Sequence, residues 1–434
     1  MIPAMIIFAV TYVLMLVFSR VRPFIALASG ILFIIFGFLP LDRVLVEIDF
    51  NVLLMIAGTM GLIALFIESK MPALLADLVM ERVPNVQIAA VALALFAGII
   101  SAFVDNVATV LMIAPVALEI CKKLKTNPVP FIIAIAVSSN LQGAATLVGD
   151  TTAIMLGSAM DLNFMEFFFY QGKPSIFFAV ELGAVLSALI LAFLFRREKS
   201  PIPKTGERTK VTDPVPSVLL CILLALLVAV SFAPDSWNLP DEINGIICCA
   251  LMVIGLAIHF AKKRTLSAII DPLKQIDYET LGLLLGLFLM IGGLEHTGVI
   301  AKLAELLAHM GGGNIFLLYT VIVWASVLIS AFIDNIPYVA TMIPVIGGLA
   351  IQLSATTGVG AALIATPLYF GLLSGATLGG NITPIGASAN ITSIGILRRQ
   401  GYEVKNRDFF KIGIPFTVAA IVPAYIYIWL VFGV

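Results

Sequence analysis

A sixteen-residue stretch occurs twice in this chain, and its second copy restricts the fold more than any other feature. Residues 100–115 read ISAFVDNVATVLMIAP, and residues 329–344 read ISAFIDNIPYVATMIP. In each copy an Asp-Asn pair, Asp105-Asn106 and Asp334-Asn335, interrupts an otherwise apolar run. The surroundings are apolar throughout: 61% of the 434 residues are hydrophobic, 12% are charged, and the mean hydropathy is +1.10. A soluble domain carries about 25% charge. Nearly all the apolar residues fall in runs that approach the roughly 20 residues a membrane-crossing helix needs. The chain therefore reads as an all-α polytopic membrane protein. An ionisable side chain at membrane depth is costly and marks a functional site by default. Two copies of one predict a duplicated transporter whose site lies between the halves.

The apolar runs of the first half are 3–19, 23–40, 51–68, 86–104, 107–121, 129–148 (continuing to about 170) and 175–195. The first has no basic stretch before it and no small-residue cleavage site after it, so it reads as a retained span. A polar linker, 196–215, follows, rich in Lys, Arg and Pro. The second half runs 217–233, 243–261, 280–295, 315–333, 336–353, 361–380 (continuing to Arg398-Arg399) and 412–432. Amphipathic pieces precede residues 86 and 315. The expected organisation is a first repeat, 1–195, with a hairpin at 86–122 and a broken helix at 129–170. The second repeat, 216–434, has its hairpin at 314–353 and its broken helix at 361–400. Other anchors keep the same order: Ile48-Asp49-Phe50 matches Ile276-Asp277-Tyr278, and Glu166-Phe167-Phe168 matches Asp408-Phe409-Phe410.

Charge tests this organisation. With each Asp-Asn segment a hairpin and each glycine-rich break inside one crossing, each half crosses five times, and an odd number inverts the second half. With the linker in the cytoplasm, 22 of the 25 Lys and Arg residues fall in cytoplasmic loops, leaving Arg43, Lys173 and Lys302 outside. That is a strong positive-inside bias. The expected fold is an inverted-repeat transporter with about ten spanning helices, two re-entrant hairpins and two broken helices, in the cell (inner) membrane, with both termini external. The hairpin arms, rising about 1.5 Å per residue, are long enough that full spans stay open as an alternative.

Two centres carry the chemistry. A helix restarting at depth presents unsatisfied N–H groups and a positive dipole end, so Asp105 and Asp334 are suited to cap the returning arms. Asn106 and Asn335 add amide oxygens. These are hard ligands suited to Na⁺, and a desolvated carboxylate away from a fixed cation is equally suited to carry a proton. Each Asp could also be no more than a buried cap. The second centre is the pair of glycine-rich breaks, SSNLQGAATLVGDTT at 138–152 and GATLGGNITPIGASA at 375–389. Glycine weakens a helix by about 1 kcal/mol per site, and Pro384 removes a donor. Asn140, Thr146, Gly149, Thr151, Asn381, Thr383, Gly386 and Ser388 are the candidate substrate-binding residues, with Asn390 standing ready beside them. Matched broken helices point to a transport site, though small residues also serve close helix packing. Asp150 aligns with Ala387, so only the first break carries a carboxylate, which could share a site with Asp105. Glu68, Glu295 and His296 lie near span ends, His259 and His309 look peripheral, and Glu181 lies within the fifth span.

At VDNVAT, IDNIPYVATMIP, ATLVGDTTAIMLGS and GATLGGNITPIGASAN the chain resembles the ion-transporter superfamily. The resemblance is to its citrate-transporter-like branch of arsenite permeases, sodium–proton antiporters, plant silicon effluxers and the melanosomal P protein. It implies a scaffold domain beside a transport domain, hairpins and broken helices meeting near the midplane, and a homodimer. Related sodium–dicarboxylate symporters carry Ser-Asn-Thr at the tips. Here the matching residues are Asp105-Asn106-Val107 and Asp334-Asn335-Ile336, which favours a site with its own titratable charge.

The reading that follows is a secondary transporter, not an enzyme. It would move a small inorganic anion or weak-acid oxyanion of the arsenite or silicate type, coupled to protons or Na⁺ through Asp105, Asn106, Asp334, Asn335 and Asp150. No Arg or Lys falls in an expected core segment. A Na⁺/H⁺ antiporter is the alternative. A third class, an intramembrane aspartyl protease with Asp105 and Asp150 as its dyad, leaves Asp334 unexplained. No His-Glu-x-x-His motif occurs, no basic stripe suggests nucleic acid, and the four Cys have no metal or disulfide spacing. No cofactor is expected beyond Na⁺ as a coupling ion. The partners are the bilayer and a small solute or ion.

Overall fold

The computed structural model describes residues 1–18, 21–124, 126–202 and 208–434. Nearly all of them are helical. The first half contains α1 (Ile2–Val17), α2 (Arg22–Ile35), α3 (Val44–Glu47), α4 (Phe50–Glu68), α5 (Met71–Glu81), α6 (Val86–Ser101), α7 (Asn106–Leu124), α8 (Val129–Gly143), α9 (Thr151–Ala159) and α10 (Ile176–Leu194). The second contains α11 (Val215–Ser231), α12 (Ile243–Lys263), α13 (Ser267–Leu273), α14 (Tyr278–His296), α15 (Val299–Gly311), α16 (Ile315–Ser330), α17 (Asn335–Thr357), α18 (Ala361–Gly379), α19 (Ser388–Arg399) and α20 (Asn406–Phe432). Element by element the second list repeats the first.

The duplication extends to the caps. Asp49 and Asp277 accept from the N–H groups of Val52 and Thr280, at 2.9 Å each, and start α4 and α14. Asn85 and Asn314 start α6 and α16 in the same way, each at 3.0 Å. An N-cap oxygen satisfies one of the orphan donors of a first turn and is worth about 1 kcal/mol.

Among the described residues seven helices are long and apolar enough to cross a bilayer alone, α4, α10, α12, α14, α17, α18 with its 3₁₀ extension to Ile382, and α20. Shorter apolar helices, among them α1, α2 and α11, supplement them. At 23 residues, the returning arm α17 meets the length of a full span. The pairs α2–α14 and α4–α12 pack closely. A methyl group on Gly58 of α4 would lie 2.4 Å from the Cys248 backbone of α12, so only glycine permits that approach. Helices α8 and α18 are the most enclosed, with α6 and α10 packed on α8 and α16 and α20 on α18. Van der Waals packing through small residues has to hold such contacts, because lipid provides no hydrophobic drive between helices.

Three expectations need correction. The stretch after Gly149 does not stay helical to residue 170. Helix α9 ends at Ala159, Asp161 adopts a left-handed φ of 53°, and an Asn163–Glu166 capping box starts a 3₁₀ turn. A two-residue antiparallel pair, β1 (Phe169–Tyr170) and β2 (Lys173–Pro174), follows around a Gln171-Gly172 turn. Second, Arg22 is not a loop residue closing the first span but the first residue of α2. Third, His259 is buried, with Nε2 3.3 Å from Glu68, which also pairs with Lys263.

The described parts of the 196–215 linker are non-helical up to Pro214, and α11 begins at its last residue, Val215. Arg208 clasps Glu81 at 2.6 and 2.8 Å, Thr209 bonds Asp77, and Asp213 pairs with Lys262 at 2.7 Å. Residues 203–207 of that segment lie outside the described residues.

Candidate functional site

The site grows from two tight helix-to-helix turns, at the tips expected of the two hairpins. Helix α6 ends at Ser101 and α7 begins at Asn106; α16 ends at Ser330 and α17 begins at Asn335. The carboxylate of Asp105 accepts from the N–H groups of Val107 and Ala108, each at 3.0 Å. Asp334 accepts from Ile336 at 3.2 Å. Both carboxylates therefore hold the dipole end of the returning arm, as the sequence suggests.

The breaks clamp onto these tips in matching fashion. Thr146, between α8 and α9, donates to the Ala102 carbonyl. Thr383, between α18 and α19, donates to the Ala331 carbonyl. A Cβ on Gly149 would lie 2.6 Å from Gly143 O and 3.0 Å from the carbonyls of Ser101 and Ala102. On Gly386 it would lie 2.6 Å from Gly380 O and 2.8 and 2.9 Å from those of Ser330 and Ala331. These two glycines are required because backbone meets backbone there. Their role is to seat the tip, and the two Thr hydroxyls are likewise taken up in seating it.

An amide network then joins the two breaks. Asn390 spends its Nδ2 on the carbonyls of Gly380 (2.9 Å) and Thr383 (3.0 Å), and Asn381 spends its Nδ2 on Val137 O (3.0 Å). Both therefore turn amide oxygens toward Asn140, whose Nδ2 donates to them at 3.0 and 2.9 Å. The Asn140 oxygen is thereby left to accept from Asn106 Nδ2 at 3.1 Å. Each orientation dictates the next, and the last consequence is that Asn106 keeps its amide oxygen free. A parallel chain runs from the second tip: Asn335 Nδ2 reaches Asp150 Oδ2 at 3.3 Å, Thr152 donates to the same oxygen at 3.0 Å, and Thr152 and Thr377 hydroxyls lie 3.2 Å apart. Each tip asparagine is thus oriented by the first half's broken helix.

Asp105, Asn106, Asp150, Thr151, Asn335 and Ser388 share the wall of a cavity of about 240 Å³. Asp277 joins them, so three carboxylates line it, and no Lys, Arg or His does among the described residues. Asp150 is buried and Asp105 half-buried, and neither has an ion-pair partner among the described residues. Asp150 also caps α9 through the Thr151 N–H at 2.8 Å. Asp334 stands apart. Its Oδ2 receives the Arg22 guanidinium at 2.6 Å and the Ser388 hydroxyl at 3.2 Å. Sequence reasoning assigned Arg22 to a loop, took Asp277 only as a repeat anchor and did not single out Thr152 or Thr377. The matched Asp49/Asp277 anchors were the one available signal for Asp277.

Residues 6–366 match the family described as citrate transporter. The chain belongs to that family. Curated relatives include a 46 kDa membrane protein of Mycobacterium leprae, 35% identical over 76% of this chain and 74% of its own. An uncharacterized transporter of Mycobacterium tuberculosis is 33% identical over 78% of this chain and 76% of its own. The human P protein is 27% identical over 88% of this chain, which spans 53% of that longer protein. Two solved transporters share the fold: YdaH of Alcanivorax borkumensis (TM-score 0.60, 12% identity, 89% of this chain and 87% of that one) and MtrF of Neisseria gonorrhoeae (TM-score 0.58, 14% identity, 90% and 84%). This member of the citrate transporter family is thus a multi-pass membrane transporter and not an enzyme, which removes the protease reading of Asp105 and Asp150.

Proposed function

We propose that this transporter moves a small solute in exchange for, or together with, a proton or Na⁺ held between Asp105 and Asp150. The observation that carries the reading is the cavity wall itself. Two carboxylates without ion-pair partners among the described residues, the half-buried Asp105 and the buried Asp150, share it with Asn106 and Asn335 and with no described basic side chain. Hard oxygen donors with net negative charge hold a cation. A cavity of this charge repels a bare polyanion. The solute it accommodates best is a weak acid carried undissociated, of the arsenite or silicate class, or an anion whose charge the bound cation offsets. The citrate of the family description fits only in the second way.

The membrane orientation supports access from one side. Gln275 and Asp277, which line the cavity, follow the basic segment 262–274 that spans the end of α12 and all of α13 and that positive-inside counting assigns to the cytoplasm. Across the molecule, Asp49, the counterpart of Asp277, accepts the Ser158 hydroxyl of α9 at 2.5 Å. Residue 395, matching Ser158 on α19, is glycine and offers Asp277 no such partner. On this reading the chain is open to the cytoplasm and closed outside, with both termini external.

A second reading, Na⁺/H⁺ antiport, is favoured by the third carboxylate, Asp277, which neutral-solute transport does not require. The test is lumenal pH in proteoliposomes after an outside Na⁺ pulse, for wild type, Asp105→Asn and Asp150→Asn. Alkalinisation lost in both variants establishes antiport. With no response, arsenite or silicate is applied across an imposed pH gradient. Flux that ignores both the gradient and the two substitutions refutes cation coupling at this site.

A further inference from the structure

The two hairpin tips are built alike and charged differently. Each has an Asp cap, an Asn beside it, a Thr hydroxyl on the tip carbonyl and a glycine seated against the turn. Asp105 takes its described hydrogen bonds from the start of its own helix and has no ion pair among the described residues. Asp334 receives Arg22 at 2.6 Å and Ser388 at 3.2 Å on one oxygen. The position of Arg22 is not explained by helix stability. It is the first residue of α2, where a cation opposes the helix dipole. Its side chain is 24% exposed and that of Asp334 is 9% exposed, so the pair is largely withdrawn from water. Asp277 and Glu279 lie within electrostatic reach of the same guanidinium.

We propose that Arg22 is a tethered cation filling the second of two equivalent cation positions, so that only the Asp105–Asp150 centre exchanges an ion. This rests on the reading that the Asp105–Asp150 centre binds the coupling cation. The Asp334 carboxylate that meets the guanidinium, with the Ser388 hydroxyl on the same carboxylate oxygen, presents hard oxygens that suit Na⁺ equally well. A guanidinium does not deprotonate in proteins and cannot diffuse away. It therefore gives Asp334 permanent compensation, where Asp105 must recruit a mobile ion. Arg22 acts here as a positioning residue: it fixes how many ions the protein can take up.

The experiment is equilibrium binding of ²²Na⁺ to the purified full chain, with melting temperature read in parallel with and without Na⁺. The variants are Arg22→Gln, Arg22→Lys and Arg22→Gln/Asp334→Asn. The expected result is one more Na⁺ per chain in Arg22→Gln than in wild type, and a melting temperature that Na⁺ raises more than it raises that of wild type. Arg22→Lys matches wild type, and the double variant loses the extra ion. An Arg22→Gln protein that is folded and binds no additional Na⁺ overturns the proposal. So does an extra ion that survives Asp334→Asn, or an Arg22→Gln chain that unfolds regardless of Na⁺. A purely structural ion pair would change the melting temperature but not the count. Wild type that binds no Na⁺ argues against Na⁺ at Asp105–Asp150, and Arg22 is then judged on the difference between Arg22→Gln and the double variant.

Discussion

Replacing Asn140 by leucine tests the amide network most directly. The side chains are similar in volume, so packing in α8 is preserved while three hydrogen bonds are lost. Asn381 Oδ1 and Asn390 Oδ1 lose their donor, and Asn106 Nδ2 loses its acceptor. Asn381 and Asn390 are both 0% exposed and cannot turn to water. Nor can their amides flip, because each Nδ2 is committed to a backbone carbonyl. A buried polar group left without a partner costs about 1–3 kcal/mol. Two such groups put the destabilisation at roughly 2–6 kcal/mol, with Asn106 adding less because it borders the cavity. Graded unfolding in mixed micelles, read by tryptophan fluorescence, measures the loss. Asn140→Asp should be at least as damaging, since it sets carboxylate oxygens against two amide oxygens. The functional consequence is separate: an Asn106 amide free to rotate no longer holds its oxygen to the cavity, so the cation affinity of transport falls. Stability within about 1 kcal/mol of wild type would refute the orientation chain. So would a destabilised protein whose cation dependence is unchanged.

Three further outcomes are expected. Asp150→Asn keeps an oxygen to cap α9 but takes the acceptor from Asn335 and Thr152, so it should lose about 1–3 kcal/mol of stability while cation-driven flux in proteoliposomes falls at least about tenfold, the equivalent of 1.4 kcal/mol of lost cation binding; unchanged flux counts against the site. Gly149→Ala and Gly386→Ala each press a methyl group against backbone carbonyls and should cost about 1–3 kcal/mol, visible as a lowered melting temperature, whereas Gly395→Ala, with nothing within 4 Å of the added carbon, should be silent. Although burial pushes the Asp213 carboxyl up, hydrogen bonds from Lys262 and the Val215 N–H outweigh it and hold the carboxyl below its usual range; its contribution is present above the ordinary carboxylate range and is lost as pH falls through it, so linker amides near residue 213 should lose hydrogen-exchange protection below about pH 4, and unchanged protection would show the ion pair to be idle.

Much of the architecture was legible because the signals are local. Apolar run lengths place the starts of α4, α6, α10 and α14 within two residues, and the repeated Asp-Asn pair marks both tips. Helices α3 and α13 were missed, being four and seven residues long and lacking an apolar period. The end of α9 was missed because the Phe-rich stretch after it looks like more span, whereas Asp161 and Gln171 turn the chain through positive φ. The site was half legible. The sequence displays Asn140, Asn381 and Asn390, but only packing reveals which carbonyl fixes each amide. Arg22 was illegible because counting charges assigns every arginine near a span end to a loop. Its partner lies 312 residues away, and only the packing of α2 brings it there.

The two halves agree in backbone and differ in charge, and the difference has a physical logic. Gly149 and Gly386, Thr146 and Thr383, and the Asp caps repeat the same seating of tip on break. A framework that must present one centre to either side benefits from such repetition, since both faces then close by the same contacts. Charge cannot be duplicated as freely. A buried carboxylate without compensation is costly, and two tips that both relied on mobile ions would have to load and unload together. Here one tip is compensated within the chain by Arg22, and the other is joined by Asp150, which has only Ala387 as its counterpart. The carboxylates without an ion-pair partner among the described residues are thereby gathered on one side of the duplicated frame, at Asp105 and Asp150, where the proposed reading puts the mobile ion. Asn335 then ties the compensated tip to Asp150 through a hydrogen bond. Loading a cation at Asp150 would therefore act on both hairpins at once.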